Sequence, residues 1–226
     1  MAKLLLIRHG QASWGADDYD VLSPLGWEQS RLLGESLGVR NVIPDLVLHG
    51  TMRRHRETAE ATVEQAGWTG AETLEDEGWN EFDHLGMLAA EPMPFGDREP
   101  TKAEFQSWFE TATERWTSGS SDAEYAETFA AFGTRVTEAM ARTLDLVGPD
   151  GTAVVFTSGG PVSWAAASLL VDSCGEPDPA AGRVWASLNR VVVNSSVTKI
   201  VAGRRGASLV SFNEHVHLEG DVLTYR

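Results

Sequence analysis

The chain is poor in cysteine, in basic residues and in long apolar runs. Its 226 residues include a single cysteine, Cys174, so no disulfide can form within the chain. No basic residue flanks Cys174, which favours a small packed side chain over a nucleophile. No segment approaches the roughly 20 apolar residues of a membrane span, and the N-terminal apolar run of four residues is too short for a secretory signal. These absences predict a soluble, cytoplasmic protein.

Acidic residues far outnumber basic ones. Lys and Arg together number 18 against 33 Asp and Glu, which gives a net charge of -15. Nucleic acids and anionic membranes bind to basic surfaces, so neither is expected as a partner. Four arginines nevertheless lie in only two short segments: Arg8 in the first, and Arg53, Arg54 and Arg56 in the second. We therefore expect a small positive pocket inside an acidic, solvated surface.

Hydrophobic patterning predicts one α/β domain over residues 1–226. Buried strands are predicted at 3–7, 45–49 and 153–156, closing strands at 191–193, 197–201 and 208–212, and helices at 24–38, 53–66, 105–116, 129–147 and from about 158 onward. Alternating strands and helices are typical of a mostly parallel central sheet with helices on both faces. Residues 71–101 are predicted to be irregular.

Residues 84–122 form a possible lid insertion between the irregular acidic segment and the long helix that follows. The segment holds Pro92, Pro94 and Pro100 and an aromatic helix. The aromatic side chains either shape a substrate pocket or pack on the core, and we favour packing. The proline-rich loop remains a possible rim of the pocket.

Residues with useful chemistry directly follow the first strand. Arg8, His9 and Gly10 come after the aliphatic run, at the end of a strand where α/β proteins place their sites. A guanidinium offers a planar fork to phosphate, an imidazole is a nucleophile or acid–base group near neutral pH, and glycine leaves room for a ligand. An unpaired buried charge is costly, so either a solvated loop or a site for an anion is expected.

Further segments, in a fixed order, give this tripeptide its weight. They are residues 22–29 (LSPLGWEQ), 54–59 (RHRETA), 79–83 (WNEFD), 157–160 (TSGG), 194–198 (NSSVT) and 213–218 (NEHVHL). With R-H-G in front, the order resembles that of the histidine phosphatases and cofactor-dependent phosphoglycerate mutases. Their patterns are L-T-x-x-G-x-x-Q, R-A-x-Q-T-A, an acidic residue, S-H-G-G, N-x-S-V-T and N-D-x-x-H-L. The resemblance spans nearly the whole chain and implies a phosphoglycerate mutase-like fold.

The resemblance implies phosphoryl transfer through a phosphohistidine. His9 would attack phosphorus, with its other ring nitrogen held by a backbone carbonyl. Arg8 and Arg54 would bind the phosphoryl oxygens. The alternative for Arg54 is an ordinary charge on the helix surface, since other arginines flank it.

The resemblance implies that the acidic segment holds the general acid. Glu81 aligns with the acidic residue of the family, and Asp83 is the second candidate. Like-charge repulsion from Asp83 and Glu77 is expected to raise the pKa of Glu81, as a proton donor near neutral pH requires. Any of these carboxylates could instead be solvated surface.

Position 158 departs from the family pattern. Ser158 stands where most members have a second histidine that contacts the transferred phosphate. Serine donates a hydrogen bond but carries no charge, so weaker transition-state stabilisation is expected. The backbone N–H groups of Ser158, Gly159 and Gly160 open a helix and predict an anion site that preserves phosphate binding.

Other histidines could supply the missing imidazole. The candidates are His49, His55, His84 and His215, and His84 draws most interest because it follows the acidic segment. His217 matches the histidine of the closing motif and is expected to be structural.

Three functions fit the sequence. We favour a phosphomonoester hydrolase acting on a phosphorylated small molecule or a phosphopeptide. Mutase activity is disfavoured because Gln11 and Gly15 replace residues of the mutase pattern R-H-G-E-S-x-W-N, and because Asp17, Asp18 and Asp20 would repel a carboxylated substrate. A phosphate-binding regulatory protein with weak or no activity is the third possibility, motivated by Ser158. No cofactor or metal is expected, and the oligomeric state is left open.

Overall fold

The computed structural model describes residues 1–13, 20–96, 98–171 and 179–225. Cys174, Gly15 and most of the acidic segment 17–20 lie outside these ranges. The strands are β1 (Ala2–Arg8), β2 (Leu46–His49), β3 (Glu72–Glu75), β4 (Thr152–Thr157), β5 (Val197–Gly203) and β6 (Gly206–Glu214). The helices are α1 (Pro24–Val39), α2 (Arg53–Ala66), α3 (His84–Ala89), α4 (Lys102–Thr117), α5 (Phe129–Val147), α6 (Gly159–Leu170) and α7 (Pro179–Asn189).

The strands form one sheet in the order β3-β2-β4-β1-β5-β6. Strand β1 runs parallel to β4, with Arg8 opposite Thr157, and β2 runs parallel to both β4 and β3. Strand β5 is antiparallel to β1, and β6 is antiparallel to β5. The predicted mostly parallel sheet is confirmed. Its register brings the residues that follow β1 and β4 together at the carboxyl ends of these strands.

Helices cover both faces because successive side chains of a strand point to opposite sides. Leu4 and Leu6 of β1 join a core with side chains of α4, α5, α6 and α7. Leu5 and Ile7 join a second core with side chains of α1 and α2. Among the helices in the described ranges, none is long and apolar enough to cross a membrane.

The first core is rich in aromatic rings that pack directly on one another. Its members include Phe82, Trp116, Phe129, Phe132 and Trp185, with ring centroids from 4.9 Å to 6.4 Å apart. Trp116 lies on α4, so this side of the aromatic helix packs on the core. A lid role for residues 84–122 stays a prediction.

The structure differs from the sequence prediction at residues 191–193. These residues are not a strand, although Val192 and Val193 are fully buried. The side chain of Asn213 holds them as a loop, accepting from the Val193 N–H at 2.8 Å and donating to the Val191 carbonyl at 2.7 Å. The apolar residues at 191–193 therefore indicated correctly that the segment is buried, but wrongly that it pairs as a strand.

Residues 71–101 are more regular than predicted. They contain strand β3 and helix α3. Strand β3 lies at the sheet edge and is largely exposed, so its side chains lack the alternating apolar pattern of a half-buried strand. Helix α7 was not predicted either.

Two glycines let the start of α1 pack against the loop after β1. A Cβ on Gly10 would lie 2.4 Å from the Gly26 carbonyl oxygen, and a Cβ on Gly26 would lie 2.2 Å from the Gln11 carbonyl oxygen. One helical turn later, Gln29 accepts the Gln11 N–H at 2.8 Å. Helix α1 therefore fixes the loop that carries His9.

We expect Gly26→Ala to destabilise the fold, because the added methyl group collides with backbone that cannot move aside. A loss of about 1–3 kcal/mol is typical of such overpacking. Gly38→Ala on the same helix is the matched control, since its Cβ would meet Ala66 only at the ordinary contact distance of 3.5 Å. Urea unfolding measures both free energies. Equal changes in the two variants would contradict the close packing at Gly26.

Candidate functional site

The imidazole of His9 lies just beyond the end of β1 and is held in one orientation. His9 is 5% exposed, and its Nδ1 lies 2.6 Å from the carbonyl oxygen of Gly10. Because a carbonyl oxygen only accepts, Nδ1 carries the proton and Nε2 keeps its lone pair. Asn194 holds the backbone in turn, donating from Nδ2 to the His9 carbonyl at 3.1 Å. The structure thus contains the carbonyl contact that the sequence resemblance implied.

The first turn of α2 presents Arg54 to the free nitrogen of His9. Nε of Arg54 donates to Nε2 of His9 at 3.2 Å, and Nη1 donates to the Asp20 carboxylate at 2.7 Å. Thr58, one turn along α2, accepts from the Gly10 N–H at 3.0 Å and donates to the Arg54 carbonyl at 2.7 Å. Arg54 is almost fully buried, so it is not an ordinary surface charge.

Burial and positive charge keep His9 neutral. Burial has the largest effect on the pKa of His9 and lowers it well below its ordinary value, and the charges of Arg54 and Arg8 lower this pKa further. The bond to Gly10 acts in the opposite direction but does not offset them. His9 is therefore unprotonated near neutral pH, which is the form that a nitrogen nucleophile needs.

Arg8 is oriented by the C-terminal part of the chain. Its Nη1 donates to the carbonyl oxygens of Val192 and Tyr225, the latter at 2.9 Å. A Cβ on Gly159 would lie 3.6 Å from Arg8 Nε, so the guanidinium passes beside the start of α6. Arg8 and Gly159, two of the predicted phosphate-binding residues, are thus neighbours.

Glu81 lies against the N-terminus of α6. The Gly160 N–H donates to both carboxylate oxygens, at 3.1 Å and 3.3 Å. A Cβ on Gly160 would lie 2.1 Å from Glu81 Oε1, so glycine is required for this contact. One of the three N–H groups predicted as an anion site is therefore occupied by a carboxylate of the chain itself.

Burial raises the pKa of Glu81. Arg54, the Gly160 N–H and Arg8 all lower this pKa, but burial is the largest influence and prevails. The predicted cause, repulsion from Asp83 and Glu77, is wrong, because neither residue contributes to the shift.

The neighbouring carboxylates are engaged elsewhere or exposed. Asp83 is exposed and caps α3, where Oδ1 accepts the Gly86 N–H at 2.9 Å. Asp76 pairs with Arg142 at 3.0 Å, and Glu77 is exposed. This arrangement favours Glu81 over Asp83 as the proton donor.

Ser158 is fully buried beside His9. The pairing of Arg8 with Thr157 brings the next residues of the two strands together. The Ser158 hydroxyl does not cap α6; it lies 2.7 Å from Nε2 of His55, which is also fully buried. The ring centroids of His55 and His9 are 5.7 Å apart.

The imidazole that contacts Ser158 is therefore that of His55. His84, which its sequence position favoured, begins α3 and packs its ring against Phe82 at 6.3 Å. The one sequence signal for His55 was its place next to Arg54 in the RHRETA segment, where the family pattern has alanine.

The segments 194–198 and 213–218 hold the backbone at Arg8 through hydrogen bonds. Ser195, with φ 58°, donates from its backbone N–H to the Arg8 carbonyl at 3.0 Å. His217 donates from Nε2 to the Ser195 carbonyl at 3.0 Å, and burial lowers the pKa of His217 to about 4. This neutral, carbonyl-bound imidazole matches the structural role expected for His217.

The site combines a neutral imidazole nitrogen, two guanidinium groups and a carboxyl group of raised pKa. Such a set can bind an anion, attack it and protonate a leaving group. In the described ranges, no three His, Cys, Asp or Glu side chains converge as metal ligands. Asp20 was not predicted as a partner of Arg54, and only the acidic composition of its segment pointed to it.

Comparisons with known proteins match this chain to enzymes that act on phosphate groups. Residues 4–214 match the histidine phosphatase superfamily (branch 1). A 2,3-bisphosphoglycerate-dependent phosphoglycerate mutase from Rhizobium rhizogenes is 31% identical over 88 residues, which cover 36% of this chain and 41% of that protein. The chain thus spans about two fifths of the length of the curated relatives it matches.

Solved structures share the fold over nearly the whole chain. A mutant phosphoserine phosphatase from Entamoeba histolytica, in complex with phosphoserine, has a TM-score of 0.65 at 20% identity, covering 97% of this chain and 100% of that one. The phosphoglycerate mutase from Bacillus anthracis has a TM-score of 0.66 at 18% identity, covering 96% and 94%. At these identities the likeness shows the fold alone.

We expect Asp20→Asn to tighten the binding of inorganic phosphate several-fold, because it removes an anion that competes for Arg54. The amide can still accept the Arg53 N–H, which Asp20 accepts at 2.8 Å. Asp83→Asn is the matched control, since it removes the same charge from an exposed cap. Isothermal titration with phosphate measures both affinities. Equal gains would show that only net charge matters.

Proposed function

Because the chain belongs to branch 1 of the histidine phosphatase superfamily, we propose that it hydrolyses phosphomonoesters through a phosphohistidine on His9. One observation carries this proposal: the lone pair of His9 Nε2 faces the Arg54 guanidinium, while Nδ1 is fixed by the Gly10 carbonyl. An anion drawn to Arg54 meets the nucleophile there.

The proposed reaction has two steps. First, Nε2 of His9 attacks phosphorus, the ester P–O bond breaks, and Glu81 gives its proton to the leaving oxygen. Arg8, Arg54, Ser158 and Gly159 bind the phosphoryl oxygens, and Asp20 leaves Arg54 when they arrive. Second, Glu81 takes a proton from water, the water oxygen attacks phosphorus, and the P–N bond breaks to release phosphate and free His9.

The substrate class follows from charge. A pocket built around two arginines selects a phosphate group, whereas the net charge of -15 disfavours nucleic acids and anionic membranes as partners. We propose a phosphorylated small molecule or a phosphopeptide. The phosphoserine bound by the Entamoeba relative supports including phosphorylated amino acids in a substrate panel.

Phosphoglycerate mutase activity is the second candidate, because the curated sequence relatives are mutases. The Asp20 carboxylate beside Arg54 weighs against it, since it would repel the carboxylate of a sugar acid. Incubation with 3-phosphoglycerate separates the two: release of inorganic phosphate indicates a hydrolase, and isomerisation after priming with the bisphosphate indicates a mutase. A regulatory protein would do neither.

A reactive phosphodonor should label His9 with an acid-labile, alkali-stable phosphate. His9→Ala should abolish both the label and turnover, because an essential nucleophile accounts for most of the rate. His217→Ala is the control and should keep the label if the variant folds. Mass spectrometry of the labelled peptide locates the phosphate. Equal labelling of wild type and His9→Ala would remove His9 from the reaction.

Glu81→Gln should slow poor leaving groups at least about tenfold more than an activated aryl phosphate, because only the former need a proton. Since the pKa of Glu81 is raised, its acid form persists to higher pH, and wild-type turnover of poor leaving groups should fall as pH rises through that pKa. The glutamine variant should lack this fall, whereas Asp83→Asn should keep it. Uniform loss on both substrate types argues against the general-acid role.

A further inference from the structure

We infer that Ser158 and His55 act as one unit, in which His55 orients the Ser158 hydroxyl to donate a hydrogen bond to the phosphoryl group transferred at His9. The inference rests on the proposed phosphoryl transfer. It makes Ser158 a residue that touches the reacting group and His55 a positioning residue that acts through it.

The first support is the isolation of the pair. Both side chains are fully buried, and Nε2 of His55 lies 2.7 Å from Oγ of Ser158. Within the described part of the chain, His55 is the sole hydrogen-bond partner of this hydroxyl, and Nδ1 of His55 has none. A buried polar group without a partner needs an explanation in terms of ligand or function.

The second support is the proton arrangement that this isolation dictates. Burial lowers the pKa of His55 well below its ordinary value, so the ring is neutral and carries one proton. A buried N–H without an acceptor is rarer than an acceptor without a donor. We therefore assign the ring proton to Nε2, which then donates it to Ser158 Oγ. The serine proton is then left for an acceptor that enters the site.

The third support is position. Ser158 follows β4 directly beside His9, and the ring of His55 lies 5.7 Å from the ring of His9. Gly159, the next residue, lies beside Arg8. A phosphoryl group held on His9 between Arg54 and Arg8 would therefore lie at the carboxyl ends of β1 and β4, next to the Ser158 hydroxyl.

The fourth support is the space that the chain makes for the imidazole. A Cβ on Gly50 would lie 2.4 Å from His55 Nδ1 and 2.7 Å from Asn80 Oδ1. Glycine at the end of β2 therefore admits the ring. The sequence patterns quoted above have Ala at position 55 and His at position 158, and the two departures of this chain are in direct contact.

A double-mutant cycle on Ser158→Ala and His55→Phe tests the pair, with kcat and KM measured for one phosphomonoester. Phenylalanine fills the ring volume without a hydrogen bond. We expect each single variant to lower kcat about tenfold or more, the scale on which transition-state donors act. The double variant should be no slower than Ser158→Ala, because His55 works only through that hydroxyl. KM should change less than kcat.

Two further variants separate positioning from packing. His55→Gln keeps an N–H donor near the position of Nε2 and should recover most of the rate lost in His55→Phe. Ser163→Ala is the matched control, since Ser163 lies on α6, is fully buried and has an Oγ without a partner. It should leave kcat unchanged. Losses that simply multiply in the double variant, with no recovery in His55→Gln, would overturn the inference.

Failure of the Ser158–His55 pair and failure of the proposed hydrolase activity give different results. If wild type labels His9 and the cycle is multiplicative, the hydrolase proposal stands and the pair does not. If wild type neither labels His9 nor releases phosphate, the hydrolase proposal fails. The same cycle measured on the affinity for orthovanadate then decides on the pair, because vanadate mimics the phosphoryl group without turnover. Equal affinities of wild type and Ser158→Ala would overturn it.

Discussion

The hydrogen bond from His9 Nδ1 to the Gly10 carbonyl directs the rest of the site. It assigns the ring proton to one nitrogen and leaves the lone pair of the other facing Arg54. The bond requires a fixed loop, and the chain secures that loop from three sides. Helix α1 packs on its glycine, Thr58 of α2 accepts its N–H group, and Asn194 holds the His9 carbonyl.

Burial acts on the two central titratable groups in opposite directions. It lowers the pKa of His9 and raises the pKa of Glu81, because in each case the charged form is disfavoured. The results are a neutral imidazole, as attack on phosphorus requires, and a carboxyl group that keeps its proton to higher pH than an ordinary glutamate does. One low-dielectric edge of the sheet thus prepares both groups. The nearby arginines strengthen the effect on His9 and only partly oppose it on Glu81.

The sequence predicted what depends on local pattern. The buried strand before His9, the helix that carries Arg54 and the two-sided sheet all follow from apolar periodicity. Prediction from the sequence failed where contacts between distant residues determine the local structure. Asn213 turns the valines at 191–193 into a loop, and the edge position of β3 removes its apolar signal. The partner of Ser158 also depends on how α2 approaches the end of β4, a distance that no motif records.

The ion pair between Arg54 and Asp20 gives the resting protein a buried guanidinium that already has a carboxylate partner. In the proposed reaction an incoming phosphate would exchange with this carboxylate, so that one ion pair at Arg54 replaces another. Screening by salt weakens the old pair and the new one together. Such an exchange would make the capture of an anion at Arg54 less dependent on ionic strength than capture by an unpaired cation.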